Sequence, residues 1–232
     1  MNNDLSPLIL RGLASGDTIG GPTALASIAA NYIKHGTSAE LSEIADRYMD
    51  YYQAGSFDSG PVFEKVHSLI NSGFDRRSAV RETHQFFHSM SAGCNPLHRT
   101  ICLAGKLALN ERTLISTVEA DSKLTHFDPL ASDVAVAGSL ICRYLINGMT
   151  ITESVEKTLN IDFLQYLRAY ATLEPSHSGF APTVLFSAIH FAKAPQEGLG
   201  FSFKLAGGEN YCPPIVGALQ SCIAMTNLST TS

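Results

Sequence analysis

Apolar residues spaced for one face of an α-helix recur along most of the chain, and that spacing limits the fold more than any other feature. Leu25, Ile28, Ala29, Tyr32 and Ile33 fall at i, i+3, i+4, i+7 and i+8, with Gly36 following where a left-handed terminal residue is expected. Ser38 is the N-cap candidate for a second stripe of Leu41, Ile44, Ala45, Tyr48, Met49 and Tyr52. Val62, Phe63, Val66, Leu69 and Ile70 make a third, between Pro61 and Gly73. Further helices are expected at about 76–90, 96–108, 111–120, 129–147, 161–171, 179–193 and 213–226. Two of them carry small residues, Ala131, Ala135, Ala137 and Gly138 in one and Ala218 and Ala224 in the other. Such residues let helix axes approach closely, which places both near the centre. No segment alternates convincingly as a strand would, and no Pro/Ser-rich linker or fixed repeat divides the chain. The expectation is an all-α fold, a single compact multi-helix domain over residues 1–232.

Composition narrows the classes of function. Hydrophobic residues make up 45% of the 232 and charged residues 16%, enough apolar material for a buried core. The net charge is −5 and no Lys/Arg run occurs, so the basic stripe of a nucleic-acid surface is missing. No apolar run reads as a membrane span, and MNNDLSPLILRGLASGD lacks the basic start of a signal peptide. Five cysteines (Cys94, Cys102, Cys142, Cys212, Cys222) without CxxC spacing read as buried small hydrophobes in a reducing cytoplasm.

The loops between the stripes are rich in Gly, Asp, His and Asn, and several resemble the ADP-ribosylglycohydrolase family in that family's order. RGLASGDTIGG (Arg11 to Gly21) is similar to its N-terminal helix and GDALG-type turn, and GSFDSGPVFEKV matches its DIG segment through Asp58 and Gly60. SAGCNPLHRTICLAG resembles the GNG-x-LMR segment, with Gly93, Leu97 and Arg99 in register. KLTHFDPLASDVAVAG (Lys123 to Gly138) is close to the LTH-x-DPLA loop and is the most specific of the set. Near the end, SGFAPTVLFSAIHFA and GGENYCPPIVGAL align with the region of the GGDADT motif.

The resemblance implies a helical enzyme holding two Mg²⁺ ions and hydrolysing a glycosidic bond to ADP-ribose. Magnesium needs hard oxygen ligands in near-octahedral array, which the family draws from a TDDT motif and from GGDADT. In this chain Gly21 and Pro22 stand where the TDDT aspartates belong, and the loop that usually precedes them is absent. Glu209 and Tyr211 replace the aspartates of the second motif. No metal site and no cofactor are therefore expected. The carboxylates and imidazole left to do chemistry are Glu209, Asp58, Asp17 and His126. Ser91, Gly93, Asn95, Arg99, Thr125, Asp128 and Asn210 are the candidates for binding a small polar or nucleotide-like ligand. Backbone N–H groups at glycine-rich helix starts suit phosphate, and His or Arg adds charge-assisted hydrogen bonds.

Plainer roles stand beside these. Asp17 and Asp58 both precede helices and suit caps, Asp128 suits an Asx turn ahead of the 129–147 helix, and Arg99 suits a structural ion pair. His84 and His88 share metal-ligand spacing on a predicted helix without a third ligand. Cys94 and Cys212 are either packed thiols or nucleophiles beside a His. Three functions remain open: a glycohydrolase with a reduced metal site, a metal-free enzyme in the same cleft, and a non-catalytic binding or structural protein. A homodimer is one means of covering apolar surface bared by the missing loop.

Overall fold

A computed structural model describes residues 4–56, 58–194, 197–207 and 211–229, the side chains of 227–229 aside. The described residues form α-helices joined by short turns, with no strand beyond two isolated bridges, Asp4 to Lys106 and Gly93 to Phe180.

The chain opens with α1 (Ser6–Gly16) and α2 (Gly21–Tyr32), both carrying proline in the first turn, where its missing N–H costs nothing. A capping box at Thr37 and Glu40 starts α3 (Ser38–Gln53), so the cap lies one residue ahead of Ser38. Gly60 precedes α4 (Pro61–Asn71), and Gly73 follows it with φ +98°, as a left-handed terminal glycine should. Asp75 caps α5 (Arg76–Phe86).

Past this point several expected boundaries move. The 76–90 segment stops at Phe86, and His88 and Ser89 adopt positive φ, so His84 and His88 do not share a helix face. The 96–108 segment is α6 (Asn95–Thr100) followed by a 3-10 turn over Ile101–Gly105. Arg143 anchors that turn by donating to the carbonyls of Ala104, Lys106 and Leu109. Then come α7 (Glu111–Ser122), α8 (Pro129–Ile146) and α9 (Ile151–Leu159), the last opened by a second capping box at Thr150 and Glu153. The 161–171 segment is a 3-10 turn, Asp162–Leu167, leading into one turn of helix, α10 (Arg168–Ala171). The chain ends with α11 (Ala181–Ala192), α12 (Gly198–Ala206) and α13 (Pro213–Ser229).

The small-residue helix α8 runs through the middle, against α6, α7, α9, α11 and α13. A Cβ on Gly138 would crowd Leu97 Cδ1, so the Leu97 side chain of α6 packs directly over the glycine. By length and composition α8 is also long and apolar enough to cross a membrane, which the sequence reading overlooked. It is mostly buried against neighbouring helices, as a core helix is. At the second close approach, α1 lies against α13, and a Cβ on Gly217 would meet the Gly12 carbonyl at 2.0 Å. Ala218 is buried there, whereas Ala224 faces outward. One large apolar core joins these helices, and a small satellite of Val66, Ala79 and Val80 lies between α4 and α5.

Candidate functional site

A cavity of about 490 Å³ opens where the N-termini of α2, α4, α6 and α8 approach the loop before α11. Its polar wall carries Asp58, Asn95, His98, His126 and Asp128, while Phe63, Phe87, Met90 and Phe180 supply much of the apolar wall. Pro22, Cys94 and Tyr211 close the rest. Two backbone hydrogen bonds, Cys94 N–H to the Gly179 carbonyl and Ala181 N–H to the Ala92 carbonyl, stitch the 91–94 loop to the segment before α11. Segments far apart in sequence thereby become adjacent walls.

Arg99 explains why the polar wall is ordered. It is fully buried and uses its planar fork in three directions. Nε pairs with the Asp121 carboxylate at 2.6 Å, and Nη2 donates to the Asp121 carbonyl at 2.7 Å. Nη1 donates both to Asn95 Oδ1 and, at 2.9 Å, to Thr125 Oγ1. Because guanidinium only donates, the Asn95 amide has one orientation, and its Nδ2 is left to donate to the Ser59 carbonyl at 2.7 Å. That bond ties α6 to the loop carrying Asp58, which itself adopts φ +51°. A non-glycine residue held in this region costs of order 1 kcal/mol and persists where its surroundings fix it.

The same fork sets the tautomer of His126. Thr125 Oγ1 accepts from Arg99, and its own proton finds His126 Nδ1 at 2.9 Å. Nδ1 is then the acceptor, and Nε2 carries the hydrogen. A Cβ on Gly93 would stand 3.3 Å from that Nε2, so the glycine keeps the imidazole edge clear. Burial, reinforced by the nearby Arg99 charge, holds the pKa of His126 well below the ordinary histidine value. His126 is therefore a neutral donor rather than a proton shuttle. His98 is neutral for a similar reason. Burial outweighs the Tyr211 carbonyl and the Asp17 charge, and draws its pKa down to about 4. Its Nε2–H donates to the Tyr211 carbonyl. Burial raises Cys94 to about 12 and Cys212 to about 11, so neither thiol is an activated nucleophile.

Of the residues expected at the site, Asp58, Gly93, Asn95, His126 and Asp128 line the cavity. Asp128 also caps α8, accepting from Leu130 N–H at 3.1 Å. Arg99 and Thr125 do not line it; they are buried behind the wall and position Asn95 and His126. Ser91 is buried as well, its hydroxyl 2.6 Å from His84 Nδ1. Asp17 closes the turn into α2: Oδ1 accepts from Ile19 and Gly20 N–H, and Oδ2 from the N–H and hydroxyl of Thr23. Burial raises its pKa, but these four bonds outweigh that and leave it lowered. Glu209 and Asn210 lie outside the described residues. His98 escaped the sequence reading, although it stands three residues after Asn95, on the same face of α6.

Among the described residues no three His, Cys, Asp or Glu side chains come together as a metal cluster. Pro22 forms wall where the resemblance expects a carboxylate ligand, and both oxygens of Asp17 already serve backbone and hydroxyl donors. The described donor set, with Glu209 outside it, does not by itself supply the several carboxylate oxygens that a centre of two hard cations needs.

No curated protein matches the chain. A solved structure described as an ADP-ribosylglycohydrolase-related protein complex is similar over 96% of this chain and 88% of that one, with a TM-score of 0.71 and 18% identity. At that identity the likeness bears on the fold alone. The family model for ADP-ribosylglycohydrolase matches residues 9–227, nearly the whole length. The chain belongs to the ADP-ribosylglycohydrolase family.

Proposed function

We propose that the cavity binds a small polar molecule of about nucleoside size and acts on it without the two-ion centre usual in this family. The observation that carries this reading is Pro22 in the cavity wall, beside an Asp17 whose carboxylate is committed to the turn into α2. The polar wall supports binding: His126 presents a neutral N–H and Asn95 a fixed amide, both held by Arg99. We assign the proton-transfer role to Asp58, a carboxylate lining the cavity ahead of α4, and a donor role to His126, whose lowered pKa makes it a weak base.

The test measures ion and ligand binding separately. Equilibrium dialysis with Mn²⁺ should show no tightly bound pair of ions. Thermal shifts with ribosides should have the same size in EDTA as in Mg²⁺, since a ligand that binds only the folded chain raises its stability by mass action. Asp58→Asn should abolish turnover while preserving the thermal shift. Two tightly bound ions, or a ligand response that vanishes in EDTA, would overturn the reading.

A further inference from the structure

Two segments of the cavity wall are the two ends of one helical hairpin. Residues 58–63 lead into α4, and Phe87, Ser89 and Met90 follow α5. The hairpin has a small core of its own, Val66, Ala79 and Val80, with Leu69 and Ile70 packed against them. Of its helices only Phe63 joins the large core, and α5 packs chiefly on α4, where Lys65 Nζ lies 4.5 Å above the Phe86 ring. Its seam with α3 is polar and incompletely satisfied. His67 is fully buried beside the Tyr52 ring; its Nδ1 donates to the Phe63 carbonyl, while Nε2 has no partner among the described residues. Arg76 Nη2 donates to the Ala45 carbonyl at 3.1 Å, and its buried Nη1 likewise has none. Buried groups left unpaired weaken a seam, and weak seams bound the parts of a fold that open first.

The chain is anchored on either side of the hairpin. Asn95 Nδ2 holds the Ser59 carbonyl at 2.7 Å, and the Ala92 carbonyl accepts from Ala181 N–H at 2.9 Å. Just inside the first anchor, Gly60 adopts φ +82° and ψ 150°, a backbone conformation open almost to glycine alone. Just inside the second, His88 and Ser89 are consecutive non-glycine residues at positive φ. The end of α5 meets the body through His84, whose Nδ1 lies 2.6 Å from the Ser91 hydroxyl and whose ring lies 5.0 Å from that of Phe127. Met90 is 77% exposed at the cavity mouth, and Phe86 and Phe127 are exposed as well. Apolar side chains so placed are what closure over a ligand would take out of water.

We propose that residues 61–90 are a flap that swings as a unit about Gly60, latched by His84, and closes Met90 over a ligand in the cavity. Covering a ligand rests on the reading that the cavity is a small-molecule site; the motion itself does not.

Hydrogen exchange of the full chain at neutral pH tests the motion without a ligand. Amides of α4 and α5 should exchange through one shared opening, about tenfold or more faster than those of α8 and α13. His84→Ala, outside the cavity wall, should speed both helices by about threefold or more and leave α8 and α13 unchanged. Exchange of α4 and α5 at the rate of α8, or acceleration of α5 alone, would overturn the flap. The cover is read from the rate at which hydrogen peroxide oxidises Met90 to its sulfoxide. Adenosine and ADP-ribose serve as probes, and thermal shift reports whether each binds. A bound probe should slow Met90 oxidation by about threefold or more and slow exchange in α4 and α5 together. A thermal shift with neither change would overturn the inference and leave the small-molecule site standing. No thermal shift with either probe would overturn the cavity reading and the cover with it, while shared exchange of α4 and α5 in the free chain would still uphold the motion.

Discussion

Replacing Arg99 by methionine should cost more than any single substitution in the cavity wall, because one buried cation serves four acceptors. Its fork reaches the Asp121 carboxylate and carbonyl, Asn95 Oδ1 and Thr125 Oγ1, and neither Arg99 nor Asp121 is exposed. Methionine fills much of the same volume but leaves the Asp121 carboxylate, among the described residues, with only the Tyr48 hydroxyl, at 2.9 Å. Removing one partner of a buried ion pair typically costs about 3–5 kcal/mol, most of it the penalty for the stranded charge. Against a total stability of roughly 5–15 kcal/mol this is a large fraction. In a chain of this length it corresponds to a fall in Tm of about 6–20 °C. Urea unfolding followed by far-ultraviolet circular dichroism at pH 7 measures the cost. The double variant Arg99→Met/Asp121→Leu removes the stranded charge as well and should recover at least half of the loss. Arg99→Lys separates stability from positioning. One ammonium can stay near Asp121 but cannot also hold Asn95 and Thr125, so stability should largely return while ligand affinity stays reduced. A single variant costing under about 1 kcal/mol, or a double variant that is worse than the single, would refute Arg99 as the organising group.

Two further outcomes follow from groups near the cavity. Asp17→Ala should lower Tm by about 2–8 °C, the equivalent of a lost cap worth about 1–2 kcal/mol, since four hydrogen bonds into the α1–α2 turn disappear; an unchanged melting curve would show that Thr23 and solvent hold the turn without it. Stability should also fall as pH drops from about 6.5 towards 4: burial depresses His67 and His98 to about 4 and holds His126 well below its ordinary value. In that window the unfolded chain binds protons that the folded chain refuses, so ∂ΔG/∂pH is positive, with His67 and His98 contributing roughly 3 kcal/mol each at most. Urea midpoints that stay flat between pH 7 and pH 4.5 would contradict buried neutral imidazoles.

The fold was legible wherever a helix announced itself by periodicity. The stripes at Leu25–Ile33 and Leu41–Tyr52 became α2 and α3, and the small residues of α8 did mark the centre. Other signals were present but went unread. Thr150-Ile151-Thr152-Glu153 spells the same capping box that opens α3, yet α9 was missed because the segment behind it is short and half polar. In α12, Gly198 and Gly200 break the propensity argument, and packing overrides them; a Cβ on Gly198 would meet the Phe191 carbonyl at 1.9 Å. The cavity was harder to read. Sequence order picked out loops that meet at the cavity, but burial divided their residues between wall and support. Arg99 has a ligand-binding composition around it, and only the fold shows Asp121, on the next long helix, taking its charge.

That division between wall and support bears on how the cavity keeps its shape. Were the walls held apart and aligned by cations, Gly21 and Pro22 at the head of α2 would leave the cleft without an organiser. The chain's own side chains do this work instead. Asp17 closes the turn into α2 through Thr23, Arg99 aligns Asn95 and His126 from behind, and the 91–94 loop is bonded to the segment ahead of α11. None of these contacts involves the positions where the resemblance expects carboxylate ligands. Substitution there changes wall side chains, Pro22 and Tyr211 among them, and leaves these aligning contacts in place. Among the described residues the wall then presents two carboxylates, two neutral imidazoles and an aromatic face.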